Sequence, residues 1–104
     1  MDYGSLDDFM QDVVSKDSNT RLDIYYKLEE YLKNDHSRLH CMDTIKFCDA
    51  ILSWVNSSNF RISLNGLAII QLLVQRLTEQ LRTHAVESRN IYFYFCFYFN
   101  YLSS

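Results

Sequence analysis

Apolar residues recur along this chain with the period of an α-helix in four successive runs. Leu6, Phe9, Met10, Val13 and Val14 occupy the i, i+3, i+4, i+7 and i+8 positions of one helical face. Ser5 stands at the N-cap position, and Asp7 and Asp8 suit the positive end of the helix dipole. The pattern predicts a first helix over residues 6–14. Ser15 to Asn19 reads as a turn, because Ser, Asp and Asn side chains compete with helical backbone hydrogen bonds. A second helix is predicted from Thr20, with Thr20 and Asp23 as a capping box and Leu22, Tyr25, Leu28 and Leu32 as its inner stripe. Lys33-Asn34-Asp35 closes it. A polar connector over residues 34–42 leads to a third helix capped by Asp43, with Thr44, Phe47, Cys48, Ile51, Leu52 and Val55 facing inward. Asn56-Ser57-Ser58-Asn59 forms a second short turn. The fourth helix runs from Phe60 to about Leu81 and is apolar on more than one side, the pattern of a helix packed between neighbours. Gly66 inside it costs about 1 kcal/mol against alanine, which a close helix–helix approach would offset.

The first turn has an echo in the second. Ser18-Asn19-Thr20-Arg21-Leu22 returns forty residues later as Ser58-Asn59-Phe60-Arg61-Ile62, and Leu32 matches Leu72 at the same offset. A helix–turn–helix unit with this period lies in the HEAT range. The expectation is an all-α, HEAT-repeat α-solenoid fragment of about four helices over residues 1–86. Residues 87–104 break the pattern: eight of the ten residues from Tyr92 to Tyr101 are Phe or Tyr, without helical or strand polarity. They read as an irregular, aromatic, low-complexity tail prone to aggregation.

Composition narrows the partners more than the fold. The 104 residues suffice for one small domain, and two glycines with no proline favour long helices. A net charge of −3 supplies no global field for nucleic acid or anionic lipid, so neither is an expected partner. The N-terminus lacks the basic and apolar regions of a secretory signal. The longest apolar run, residues 91–102, falls short of the roughly 18–20 residues that cross a bilayer. Cys41, Cys48 and Cys96 are an odd number without framework spacing, which fits a reducing cytoplasm. His36, His40, Cys41 and Cys48 lie near one another in sequence but lack metal-site spacing, so no metal or other cofactor is expected. Gly-rich phosphate loops and nucleophile elbows are absent. The acidic pairs Asp7-Asp8 and Glu29-Glu30 point about 100° apart on a helix and read as solvated faces. The expectation is a binding protein, not an enzyme.

Equivalent turns of a solenoid line up along one edge. Lys16, Asp17, Asn19 and Arg21 in the first turn, with Asn56, Ser57, Ser58, Asn59 and Arg61 in the second, would form a polar ridge there. Such a ridge suits an acidic protein surface, since the arginine fork binds carboxylates bidentately. The same residues also make ordinary caps, and Arg21 and Arg61 have the reach to brace adjacent turns. Trp54, beside the second turn, is either an interface anchor or a plug for the end of the core; burial statistics favour the plug.

The stretch Leu52-Ser53-Trp54-Val55-Asn56-Ser57-Ser58-Asn59-Phe60-Arg61-Ile62-Ser63-Leu64-Asn65-Gly66-Leu67 resembles the N-terminal TOG domain of the CLIP-associating protein (CLASP) family. Lys16-Asp17, Arg21-Leu22 and Val74-Gln75-Arg76-Leu77 resemble the same domain in the same order, so the likeness covers residues 5–85. It implies a paddle of HEAT repeats whose intra-repeat turns bind tubulin. It also implies a cytoplasmic, cytoskeletal regulator of microtubule plus ends, the mitotic spindle, kinetochore attachment and cell division. Carried over, the tubulin-facing turns are Ser15 to Arg21 and Asn56 to Arg61, with Trp54 in support and Lys16, Arg21 and Arg61 as the cations. The first turn has no tryptophan where the family typically carries one, and only two of six repeats are present. The resemblance therefore implies a truncated form with weak, salt-sensitive binding. The alternatives are a small helical interaction adaptor, self-associating through its open solenoid end and aromatic tail, and a non-functional truncated isoform.

Overall fold

Asp17, Asp43 and Asn59 each start a long helix by offering a side-chain oxygen to backbone N–H groups that have no intrahelical acceptor. In the computed structural model, which describes residues 3–83, Asp17 accepts from Thr20 N at 2.9 Å and Asp43 from Lys46 N at 3.0 Å. Asn59 accepts from Arg61 N at 3.0 Å and Ile62 N at 3.2 Å. The helices are α1 (Met10–Val13), entered through a 3₁₀ turn at Leu6–Phe9, then α2 (Ser18–Lys33), α3 (Thr44–Val55) and α4 (Phe60–Thr83). Ser5 caps the 3₁₀ turn in a reciprocal box with Asp8. No strand occurs among the described residues, and the fold is all-α. The aromatic tail at 87–104, the boundary at 86 and Cys96 lie outside the described residues.

Two helical hairpins, α1–α2 and α3–α4, stack in a HEAT-like arrangement. α4 packs along α2 on one side and α3 on another, while α1 sits against α2 and α3. Leu6, Phe9, Leu28, Phe47, Ile51, Trp54, Ile69 and Leu73 are almost wholly buried between them. Each such side chain contributes about 1.5–3 kcal/mol through its removal from water. Gly66 lets α3 and α4 approach closely: a Cβ there would lie 3.0 Å from the Val55 backbone nitrogen and from Trp54 Cβ. Gly66→Ala should therefore lower stability by about 1–2 kcal/mol in a urea melt, although alanine is the better helix former by about 1 kcal/mol.

The structural repeat is one residue longer than the sequence echo. The buried positions of α2, namely Arg21, Ile24, Tyr25, Leu28 and Leu32, match Ile62, Asn65, Gly66, Ile69 and Leu73 of α4, each 41 residues on. In the other layer Leu6 matches Phe47 and Val13 matches Trp54 at the same separation. The partner of Leu32 is thus the buried Leu73, not the half-buried Leu72. A one-residue slip rotates a side chain by about 100° about the helix axis, so Arg21 and Arg61 occupy different faces.

Other expectations shift locally. α2 begins two residues before Thr20, because the Asp17 carboxylate, not the Thr20 hydroxyl, is the cap. Arg21 and Ile24 join its buried face and Leu22 is half-buried; in α3 the buried residue near the end is Trp54, with Val55 half-buried. The connector over 34–42 is no plain polar loop, since Leu39 and Cys41 are 3% and 1% exposed. It returns to the start of the chain, where Leu6 N donates to His40 O at 3.0 Å and Met42 N to Asp7 Oδ1 at 2.9 Å.

Arg76 of α4 holds the other end of the connector. Its guanidinium donates to Leu32 O and Asn34 O at 3.1 Å, Ser37 Oγ at 2.8 Å and Ser37 O. Leu32 O is one of the carbonyls that the end of α2 leaves without an intrahelical donor, and Asn34 O and the Ser37 groups belong to the turn that follows it. Burial pulls the Arg76 pKa down from the usual arginine value, and the Asp35 carboxylate opposes that shift.

Candidate functional site: the edge formed by the two turns

Three contacts bring the α1–α2 and α3–α4 turns to one edge. Trp54 Nε1, at the end of α3, donates to Val13 O, at the end of α1, at 3.0 Å. Arg21 Nε donates to Ser15 O at 2.7 Å, and its terminal nitrogen donates to Ser53 Oγ at 3.2 Å. The start of α2 and the ends of α1 and α3 are thereby tied together.

The turns are built alike. Ser15 Oγ accepts from Asp17 N at 3.1 Å, and Ser57 Oγ accepts from Asn59 N at 3.0 Å. Asp17 then caps α2 and Asn59 caps α4. The Thr20 hydroxyl and N–H hold the Asp17 carboxyl below its ordinary pKa, so it is an anion on the edge. Ser63 Oγ further ties the base of the second turn, donating to Val55 O at 2.7 Å.

Within this frame the candidate residues divide. Lys16, Asp17, Asn19, Asn56, Ser58 and Arg61 are exposed, and Ser57 and Asn59 are half-buried caps. Arg21 is only 8% exposed and spends its guanidinium on the brace. Trp54 is fully buried and plugs the core beneath the second turn. The outward cations of the edge are thus Lys16 and Arg61, one from each turn. Behind the edge, on α2, the Tyr25 hydroxyl donates to the Glu29 carboxylate. Burial, with Glu29 reinforcing it, pushes the Tyr25 pKa up to about 12.

The residues near the connector do not assemble into a metal centre. His36 is exposed, and His40 Nε2 lies 3.9 Å from Asp7 Oδ2. Cys41 is buried, and burial pushes its thiol up to about 12, which keeps it protonated and a poor ligand. Among the described residues no three His, Cys, Asp or Glu side chains are placed to hold a metal ion. An open depression of about 880 Å³ lies at the far end of α2, between Tyr3, Lys27, Glu30, Tyr31 and Arg38. Its rim mixes both charge signs. No helix among the described residues is long and apolar enough to cross a membrane.

Sequence reasoning located both turns but missed Arg76, whose partners lie 39 to 44 residues away. Arg76 appeared in the sequence only within the Val74-Gln75-Arg76-Leu77 stretch, which carried a resemblance but no sign of its partners.

The fold and its edge define a HEAT-like module of two stacked helical pairs that presents a polar, mixed-charge ridge. In sequence the chain is CLASP-like: it is 31% identical over 83 residues to CLIP-associating protein 1-B of Xenopus laevis, covering 75% of this chain. CLIP-associating protein 1-A of Xenopus laevis is similar at 31%, and CLIP-associating protein 1 of Xenopus tropicalis at 30%, over the same length. The chain spans 6% of the length of each of these relatives. No family model matches the chain. No solved structure matches it.

Proposed function

We propose that this chain is a microtubule-associated module of the CLASP kind that meets tubulin through its two intra-pair turns, as TOG domains do. By that contact it acts on microtubule plus-end dynamics and the mitotic spindle, including kinetochore attachment, and it resides on the cytoplasmic cytoskeleton. The observation that carries the reading is the joining of both turns at one edge, with Lys16 and Arg61 directed outward, in a chain similar to CLIP-associating proteins. Exposed lysine and arginine suit an acidic partner at long range and low salt. Asn19, Asn56 and Ser58 add short hydrogen-bonding groups beside them. Arg21 and Trp54 serve by holding the turns in place.

Co-sedimentation with taxol-stabilised microtubules tests this. The Lys16→Glu/Arg61→Glu variant should lose about tenfold in affinity at low salt, the scale of two exposed charge reversals. Its helical circular dichroism should match wild type. Binding by the folded variant that equals wild type removes the edge from the interface. A second reading, a helical adaptor that pairs with protein through another face, is favoured by the exposed apolar residues of α4.

A further inference from the structure

α4 is apolar on two opposite sides. Ile62, Ile69, Leu73 and Leu77 close the core. About 180° around the helix, Phe60, Leu64, Leu67 and Val74 are 76%, 42%, 46% and 36% exposed. With Gln71 they form one uncharged seam, roughly 21 Å long at the helical rise, that stops roughly 14 Å short of the helix end at Thr83. Residues 84–104 continue from that end and lie outside the described residues. Their sequence divides in two. Residues 84–90 hold the charged side chains, Glu87 and Arg89, and residues 91–102 hold none. Within 91–102 only Asn100 lacks an apolar or aromatic side chain.

We infer that residues 91–102 of the same chain cover this seam, running back along α4 from Val74 toward Phe60. Attachment and length select this occupant. Residues 84–90 reach up to about 23 Å, enough to reverse direction and return the roughly 14 Å from Thr83 to Val74. The following run, 91–102, spans roughly 18 Å at a helical rise and roughly 40 Å when extended, so either backbone form reaches from Val74 past Leu64. The chemistry agrees with the lengths. The charged stretch 84–90 falls beside the last turns of α4, where Gln75 and Thr78 are exposed, and the uncharged run meets the uncharged seam. Covering the rings of 92–101 and the four apolar side chains of α4 removes both from water in one contact. A second copy, or a helix of another protein, must compete with a segment tethered at an effective concentration on the order of millimolar. This goes beyond the microtubule reading and does not depend on it, since Lys16 and the first turn lie outside the seam.

Cys96 sits midway along the run, and the other two thiols, Cys41 and Cys48, are buried in the core. Maleimide labelling of the full 104-residue chain, read peptide by peptide by mass spectrometry, therefore tests the docking. Cys96 should label at least about tenfold more slowly in the native chain than in urea, at a rate that does not change with protein concentration. Leu67→Glu should return Cys96 to the urea rate while Cys41 and Cys48 stay protected and helical circular dichroism is unchanged. Gln71→Glu, milder because the position is already exposed and polar, should move Cys96 in the same direction. Lys46→Glu, on α3 and off the seam, should leave it protected. Native Cys96 that labels at the urea rate overturns the proposal. Protection that ignores both seam variants also overturns it, since the run is then covered elsewhere. Protection that grows with protein concentration overturns it in favour of a second copy.

Discussion

Trp54→Ala should abolish the cooperative unfolding transition of this chain. Trp54 is completely buried at the junction of both hairpins, and its indole N–H is donated to Val13 O at 3.0 Å. Truncating a buried tryptophan typically costs about 3–5 kcal/mol in lost burial and residual cavity. The orphaned Val13 carbonyl adds about 1 kcal/mol or more. A small domain holds only about 5–15 kcal/mol in total, and a two-hairpin stack belongs at the low end. Far-UV circular dichroism through a urea titration reads the outcome, with a broad, baseline-like melt expected for alanine. Trp54→Phe keeps most of the volume and loses the hydrogen bond, so it should retain a sigmoidal transition at a lower midpoint. An alanine variant melting like wild type would remove Trp54 from the role of joining the hairpins.

The second large effect is at Arg76. One guanidinium satisfies carbonyls of Leu32, Asn34 and Ser37 at once, and the Ser37 hydroxyl as well. Hydrogen bonds to a charged donor are worth about 1.5–3 kcal/mol each when buried, less for the partly exposed members of this set. Arg76→Ala should lower stability by about 2–3 kcal/mol. Arg76→Lys should rescue little of it, because a single ammonium cannot span acceptors that the planar fork reaches together. Amide hydrogen exchange locates the damage: protection should fall first at the C-terminal turn of α2 and in residues 34–38. Full rescue by lysine would show that charge, not fork geometry, holds the connector.

The local signals were read well where one residue had one role. Ser5 and Asp43 are caps in the structure as in the sequence, and α3 occupies the span its periodicity implies. Gly66 marks a close approach, as its cost in a helix interior implied. The start of α2 was harder because Asp17, Ser18 and Thr20 can all cap, and only the fold decides which carboxylate or hydroxyl turns toward Thr20 N. The echo of Ser-Asn-x-Arg marked the two turns but misassigned their arginines. Sequence identity tracks residue names, whereas burial tracks angle about the helix, and the two differ here by one position. Arg21 therefore points into the brace while Arg61 points out. Leu39 and Cys41 sit in a stretch too short and polar to show any periodicity, yet the return of the connector to Leu6 and Asp7 drives them inward. The two-turn edge was thus legible in the sequence, but which of its side chains meets solvent was not.

The 41-residue separation of buried positions sets a construction rule for synthetic arrays. A linear array copied from the second hairpin at this step keeps every inward side chain in phase with the one below. Copied at the forty-residue step of the echo, with the missing residue taken from within a helix, each added unit would carry a face turned by about 100°, presenting half-buried positions to the core. The error compounds with every unit, because stacked repeats contribute stability through their interfaces with nearest neighbours. A designer working from the visible motif would build a rod that fails to stack; one working from the angular phase would extend it.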